Sequence, residues 1–308
     1  MAASKDRPRW NDLPGPVRAR IARLAGGPVV AAANCEGGFS PGLAARLHLA
    51  DGRQVFVKAM DCAAFPFQAD IYRDEARVAA VLPAGVPAPA FLGCDDDGGW
   101  VILAFECVDG AEPVRPWREP DLARVIEAAR EMAAVAPAGP LALPDRPLRL
   151  GGWARLAADE SRLVRLAACA PWAAAELPAL LALERDGIAA ARGSSLVHFD
   201  MYAHNILLTP DRVMFIDWPH ARLGAPHVDV VLLLSSAVGD GVDPEPFVRA
   251  APQTGAVDRR AIDGLLAAHA GFCLAGGLGP AEPGLEPIRA AKQELGLAAL
   301  AWLGRRLG

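Results

Sequence analysis

Apolar residues recur along this chain with two different periods, and the period changes near residue 119. Over 16–25, Val17, Ile21 and Leu24 share one helix face, which predicts a short amphipathic helix. Three strand-like runs follow at 29–34, 43–50 and 54–59. The first two are separated by the glycine-rich segment Glu36–Gly42, and the last two by Asp51-Gly52, a hairpin signal. Residues 68–82 read as a helix whose stripe is Ile71, Val78 and Leu82, with Glu75 on that same stripe. After a breaker-rich loop, Pro83–Pro89, a second hairpin is expected: Phe91–Cys94, a turn at Asp95–Gly99, then Trp100–Cys107. The run Trp100–Phe105 is continuously apolar, as a central strand should be.

Beyond residue 119 the helical period dominates. Leu122, Val125, Ile126 and Met132 mark a helix over 119–135, and 153–169 and 172–191 repeat the pattern. Two short apolar runs, Ile206–Leu208 and Val213–Ile216, interrupt it. Helical spacing resumes at 228–236, 245–251, 258–275 and 285–306. The expected division is a small α/β lobe, 1–108, and a larger helical lobe, 109–308.

Composition narrows the function classes. The 308 residues are 53% hydrophobic and 22% charged, enough to bury a substantial core. The net charge of -5 argues against a nucleic-acid partner, which needs a basic footprint. No apolar run reaches 18 residues and the amino-terminal segment is polar without a signal region, so no membrane span and a cytoplasmic location are expected. Six cysteines without CxxC spacing read as reduced thiols. The chain has three lysines, Lys5, Lys58 and Lys292, against 28 arginines. An internal lysine on a strand in such a chain asks for a reason.

The densest chemistry is His198-Phe-Asp200-Met-Tyr-Ala-His-Asn205, followed by Phe215-Ile-Asp217-Trp218. An Asp and an Asn close together offer hard oxygens to Mg²⁺, which takes few protein ligands and keeps phosphate oxygens and water. A second Asp, free of the metal, can accept a hydroxyl proton. Lys58 ends the apolar run Val55-Phe56-Val57, where its desolvation calls for an anionic partner, and Glu75 is the candidate. Gly37, Gly38 and Gly42 let a backbone approach phosphates, and Ser40 adds a hydroxyl. Alone, that turn is an ordinary hairpin turn. A zinc site of His198, His204 and Asp200 fits no zinc spacing, His198 reads first as a loop brace, and Asp95–Gly99 reads as a turn rather than a calcium loop.

The set resembles the aminoglycoside phosphotransferase-like family of the protein-kinase-like fold, over nearly the whole chain. HFDMYAHN and FIDW match its paired motifs, and DWPHARLGAPHVDVVLLL is similar to the family as well. The resemblance implies an α+β fold with a small antiparallel-sheet lobe that binds nucleotide and a larger helical lobe that binds substrate. It implies a small-molecule kinase using ATP, or GTP, with Mg²⁺. Asp200 is then the base, Asn205 and Asp217 hold the metal, and Lys58 with Glu75 handles the nucleotide phosphates. Glu106 and Val108 would hydrogen-bond adenine through their backbones, with Phe105 as gatekeeper, and Asp229 would brace the catalytic loop. The acceptor implied is a hydroxyl of a small molecule, an aminoglycoside or other antibiotic. The alternatives are a sugar, choline-like or amino-alcohol metabolite, or a silent nucleotide-binding protein. A monomer or homodimer is expected. The family often places Gly after the loop His and Leu-His-Pro-Gly before the Asn; here Phe199 and Met-Tyr-Ala-His stand instead. These departures bear on substrate fit, and Tyr202 and His204 are the candidates to face the acceptor.

Overall fold

The computed structural model describes residues 7–35, 37–38, 40–135, 149–280 and 286–308. Contacts divide the chain into two compact units. The first holds the described residues up to 112 together with 204–221; the second holds those of 113–135, 149–203 and 222–308.

The first unit is built on a five-stranded antiparallel sheet in the order β1-β2-β3-β5-β4. Its strands are β1 (Val29–Asn34), β2 (Leu43–Leu49), β3 (Gln54–Asp61), β4 (Phe91–Asp96) and β5 (Trp100–Glu106). Helix α1 (Gly15–Ala25) packs Val17 and Ile21 on one face of the sheet, against Leu43, Ala45, Leu47, Val55, Val57 and Ala59. Helix α2 (Pro66–Ala79) packs Ala69, Tyr72 and Ala76 on the other face, against Met60, Val101, Leu103 and Phe105. The period of two along β3 therefore sends Val57 and Ala59 to α1, and Lys58 and Met60 to α2.

Two expectations for α2 are corrected. It begins at Pro66, whose fixed φ suits a first turn, and it ends at Ala79, so Leu82 lies beyond it. Its buried side includes Ala69, Tyr72, Ala76 and the expected Val78, while Ile71 is only half-buried. The β4–β5 turn is held by the Asp97 carboxylate, which accepts the backbone N–H groups of Gly99 and Trp100. Its acids are paired: Asp95 with Arg20 and Arg23, Asp96 with Arg73.

The second unit is mainly helical. Helix α3 (Glu119–Ala134) is followed by four short helices, α4 (Trp153–Ala157), α5 (Glu160–Cys169), α6 (Pro171–Ala175) and α7 (Leu177–Ala190), where two long ones were expected. Pro171 and Pro178 both open helices here, which splits the second run. The order closes with α8 (His227–Val238), α9 (Glu245–Ala250), α10 (Pro252–Gly255), α11 (Arg259–Gly277) and α12 (Glu286–Leu307). A short strand pair, β6 (Ser195–Val197) with β9 (Arg222–Gly224), was not legible as strands. Among the described residues no helix is long and apolar enough to cross a membrane. All six cysteines are free thiols.

Candidate active site

Within the first unit, Lys58 stands between two carboxylates. Its Nζ lies 2.7 and 2.9 Å from the Glu75 oxygens and 3.0 Å from Asp217 Oδ1. Burial opposes the Lys58 charge, but Asp217 and Glu75 outweigh it and hold the ammonium well above its usual range. The Glu75 carboxylate also accepts a backbone hydrogen bond from Trp218. Glu75 is buried, whereas the Asp217 side chain is 43% exposed.

A hairpin brings Asn205 and Asp217 together. Strand β7 (Ile206–Leu208) pairs with β8 (Val213–Phe215), and Ile206 sits opposite Phe215. The ladder extends one step further, because Ile216 N–H donates to Asn205 C=O at 2.9 Å. Twelve residues of sequence separation thus collapse to neighbouring positions. Asn205 is buried. Asp217 has φ +67°, a left-handed conformation, and the Trp218 indole N–H fixes the turn by donating to Phe215 C=O at 2.8 Å.

The glycine-rich turn also belongs to this unit; its Glu36 and Phe39 lie outside the described residues. The Arg7 guanidinium donates to the carbonyls of Cys35, Gly37 and Ser40. Gly38 has φ +83°. Ser40 Oγ lies 2.8 Å from the Tyr72 hydroxyl, so its side chain is engaged with α2. At the hinge segment, Glu106 N–H donates to Ala90 C=O at 2.8 Å, which commits that amide. Val108 and Phe105 are buried, and the Phe105 ring lies 5.3 Å from Phe91. Gly37, Gly38, Ser40, Glu106 and Val108 are thus placed in the sheet unit with Lys58, and Ser40 is linked to it through Tyr72, whose ring lies 5.8 Å from Lys58 Nζ.

Within the second unit, Asp200 lies on the loop that leaves β6. Phe199 has φ +65° there, a strained state for a bulky residue. Asp229, in the first turn of α8, holds that turn. Its two oxygens accept the backbone N–H groups of His198 at 2.7 Å and Phe199 at 2.8 Å. Burial raises the Asp229 carboxyl to about 6, while the two N–H donors favour its charged form. Arg222, opposite Val197 in the β6–β9 pair, stacks 4.9 Å from the Phe199 ring. His198 is fully buried.

Asp200 itself is paired. Arg149 Nη1 lies 2.8 Å from Asp200 Oδ1. The sequence reading did not pick out Arg149: it is one of 28 arginines and follows a proline-rich stretch with no periodic pattern. Tyr202 is buried, with its ring 6.2 Å from His269. Burial and the Arg149 guanidinium push the His269 imidazole down to about 4. Among the described residues no group of three or more His, Cys, Asp or Glu side chains could hold a metal ion, so the described residues offer no zinc cluster.

This geometry sets a half-buried lysine between carboxylates in one unit and a braced aspartate loop in the other. The profile of the phosphotransferase enzyme family matches residues 43–265. No curated protein sequence matches significantly. Solved structures match nearly end to end. A spectinomycin phosphotransferase in complex with ADP and spectinomycin has a TM-score of 0.61 at 13% identity, covering 92% of this chain and 98% of that one. A thermostable mutant aminoglycoside phosphotransferase, in ternary complex with AMP-PNP and hygromycin B, has a TM-score of 0.57 at 16% identity, covering 94% and 98%. A choline/ethanolamine kinase family protein from Mesorhizobium loti has a TM-score of 0.57 at 19% identity, covering 95% and 99%. At these identities the structures establish the protein-kinase-like fold. With the family profile spanning most of the chain, the protein belongs to the phosphotransferase enzyme family and is a small-molecule kinase.

Proposed function

We propose that this enzyme transfers the γ-phosphoryl group of ATP to a hydroxyl of a small molecule. The observation that supports it most is Lys58, held charged between Glu75 and Asp217. In this reading the sheet unit, which takes in residues up to 112 and 204–221 rather than 1–108 alone, binds nucleotide, and the helical unit carries Asp200 and the acceptor. Lys58, oriented by Glu75, binds nucleotide phosphates, and the turn of Gly37, Gly38 and Ser40 covers them. Glu106 and Val108 offer backbone groups to the base, although the Glu106 amide is already committed to Ala90. Asp200 accepts the hydroxyl proton as the acceptor oxygen bonds to phosphorus and ADP leaves. Arg149, 2.8 Å from Asp200 Oδ1, orients the carboxylate in this reading.

Asp217 and Asn205 fit Mg²⁺. They are hard-oxygen donors brought to adjacent positions, few in number and with the acid partly exposed. When bound, the metal neutralises charge on the phosphates. The reading is of a cytoplasmic enzyme without nucleic-acid or membrane partners, acting as a monomer or homodimer, with GTP as the competing nucleotide. Antibiotics such as aminoglycosides are one acceptor class; sugars, choline-like compounds and amino alcohols are the other.

Mg²⁺-dependent nucleotide consumption against a panel of these acceptors tests the proposal. Asp200→Asn is expected to lower kcat by about 100-fold or more while ADP binding persists. Wild-type kcat in that variant removes Asp200 as the base. Lys58→Ala is expected to weaken nucleotide use, and unchanged kinetics would take Lys58 out of the site. Bound Mg·ATP without turnover on any acceptor favours the silent alternative.

A further inference from the structure

The charge around Asp200 in the helical unit is unbalanced. Arg149, from the segment before α4, pairs with Asp200 and stacks 5.5 Å from the Phe272 ring of α11. Lys292 of α12 lies 5.2 Å from the centre of the same ring. Three separate elements thus bring two cations to one aromatic ring, one of them paired with the candidate base. Arg155 of α4 and Arg149 both act on Lys292 as like charges, and Arg149 acts likewise on Arg222. Asp200 is the carboxylate that acts on both Arg149 and Lys292, and it is already paired. Among the described residues no carboxylate pairs with Lys292. Burial, first, and then Arg149 push its ammonium below the usual lysine range. Its stem is packed on α11, since a Cβ at Gly276 would meet Lys292 Cδ at 2.9 Å. Lys292 is one of only three lysines in the chain.

A half-buried cation pair with one shared counter-ion is stabilised by an incoming anion. We infer that the acceptor carries an anionic group, a carboxylate or a phosphate, close to the hydroxyl that Asp200 receives, and that Lys292 with Arg149 binds this group. The inference rests on the phosphotransferase reading above and narrows its acceptor. The Phe272 face takes the carbon skeleton. Polycationic and quaternary-ammonium acceptors meet like charge at this position, which disfavours them.

Calorimetric titration of the full chain, saturated with ADP and Mg²⁺, tests this. The probes are glycerol, serinol, glycerate and glycerol 3-phosphate, which share a small hydroxyl skeleton and differ in charge. At least one anionic probe is expected to bind tenfold or more tighter than glycerol and serinol. Glycerate against glycerol 3-phosphate separates a carboxylate from a phosphate site. Lys292→Met is expected to cut the preference below threefold, and Lys292→Arg to retain it. Lys292→Gln replaces the Met variant if that one does not melt cooperatively. Equal binding of charged and neutral probes, no anionic binding at tens of millimolar, or a preference that survives in Lys292→Met overturns the inference. Absence of ADP binding would instead count against the phosphotransferase reading, and the anion preference is then read without nucleotide.

Discussion

At the scale of single residues, Phe199 sets two effects against each other. Its left-handed backbone costs on the order of 1–3 kcal/mol, which a glycine would avoid. Its ring is 1% exposed and stacked by Arg222, and losing such a buried ring costs about 3–5 kcal/mol. Packing wins, so Phe199→Gly is expected to lower stability. Because Phe199→Ala loses the ring and keeps the strain, it should be the worse variant by about 1 kcal/mol, reversing the usual Ala-over-Gly order. Denaturant melts of the pair decide this. His269 gives a pH effect with a defined sign. Its imidazole is pushed from 6.5 to about 4 by burial, so the folded state favours the neutral ring. The stability it contributes is complete above 6.5 and is lost as pH falls through about 4, amounting to about 3 kcal/mol. Stability of His269→Gln should therefore fall less steeply than wild type between those values.

At the scale of elements, glycines fix how closely helices approach. A Cβ at Gly187 of α7 would lie 2.0 Å from the Gly264 carbonyl oxygen of α11, and one at Gly152 would lie 2.2 Å from that of Gly271. Alanine would gain about 1 kcal/mol of helix propensity at Gly187. The clash is with backbone, which cannot rotate away, and overpacking of this kind costs about 1–3 kcal/mol or more. Gly187→Ala is expected to destabilise the protein on thermal unfolding, and a neutral result would mean the helices separate freely. Gly42 poses the same restriction in the sheet unit, where a Cβ would meet the Ala59 carbonyl oxygen at 2.5 Å.

At the scale of the whole molecule, the chain does not divide at a single point. Residues 204–221 return to the sheet unit after the chain has left it at 112. They supply Asp217 to Lys58, the Phe215 N–H to Pro87 C=O, and a β-bridge from Leu208 to Ala111. A fragment ending at residue 112 therefore loses the second counter-ion of Lys58 and these backbone partners. It is expected to melt below the first transition of the full chain, or not to fold, as followed by circular dichroism.

Residue order and composition alone determined a great deal. The alternation in β3 and the scarcity of lysine singled out Lys58, and the helical spacing put Glu75 on the inner face of α2. The motif spacing and the glycine-rich order identified the family, because phosphoryl transfer demands the same few residue types in the same sequence. Tertiary structure decided what no local pattern encodes. Which of 28 arginines faces Asp200 depends on chain packing, since an arginine outside a periodic element carries no address. That Lys292 and Arg149 both reach the Phe272 ring depends on how α12 lies on α11. The left-handed turn at Phe199 is likewise a tertiary outcome: Asp229 and Arg222 hold a conformation that the residue's own backbone disfavours.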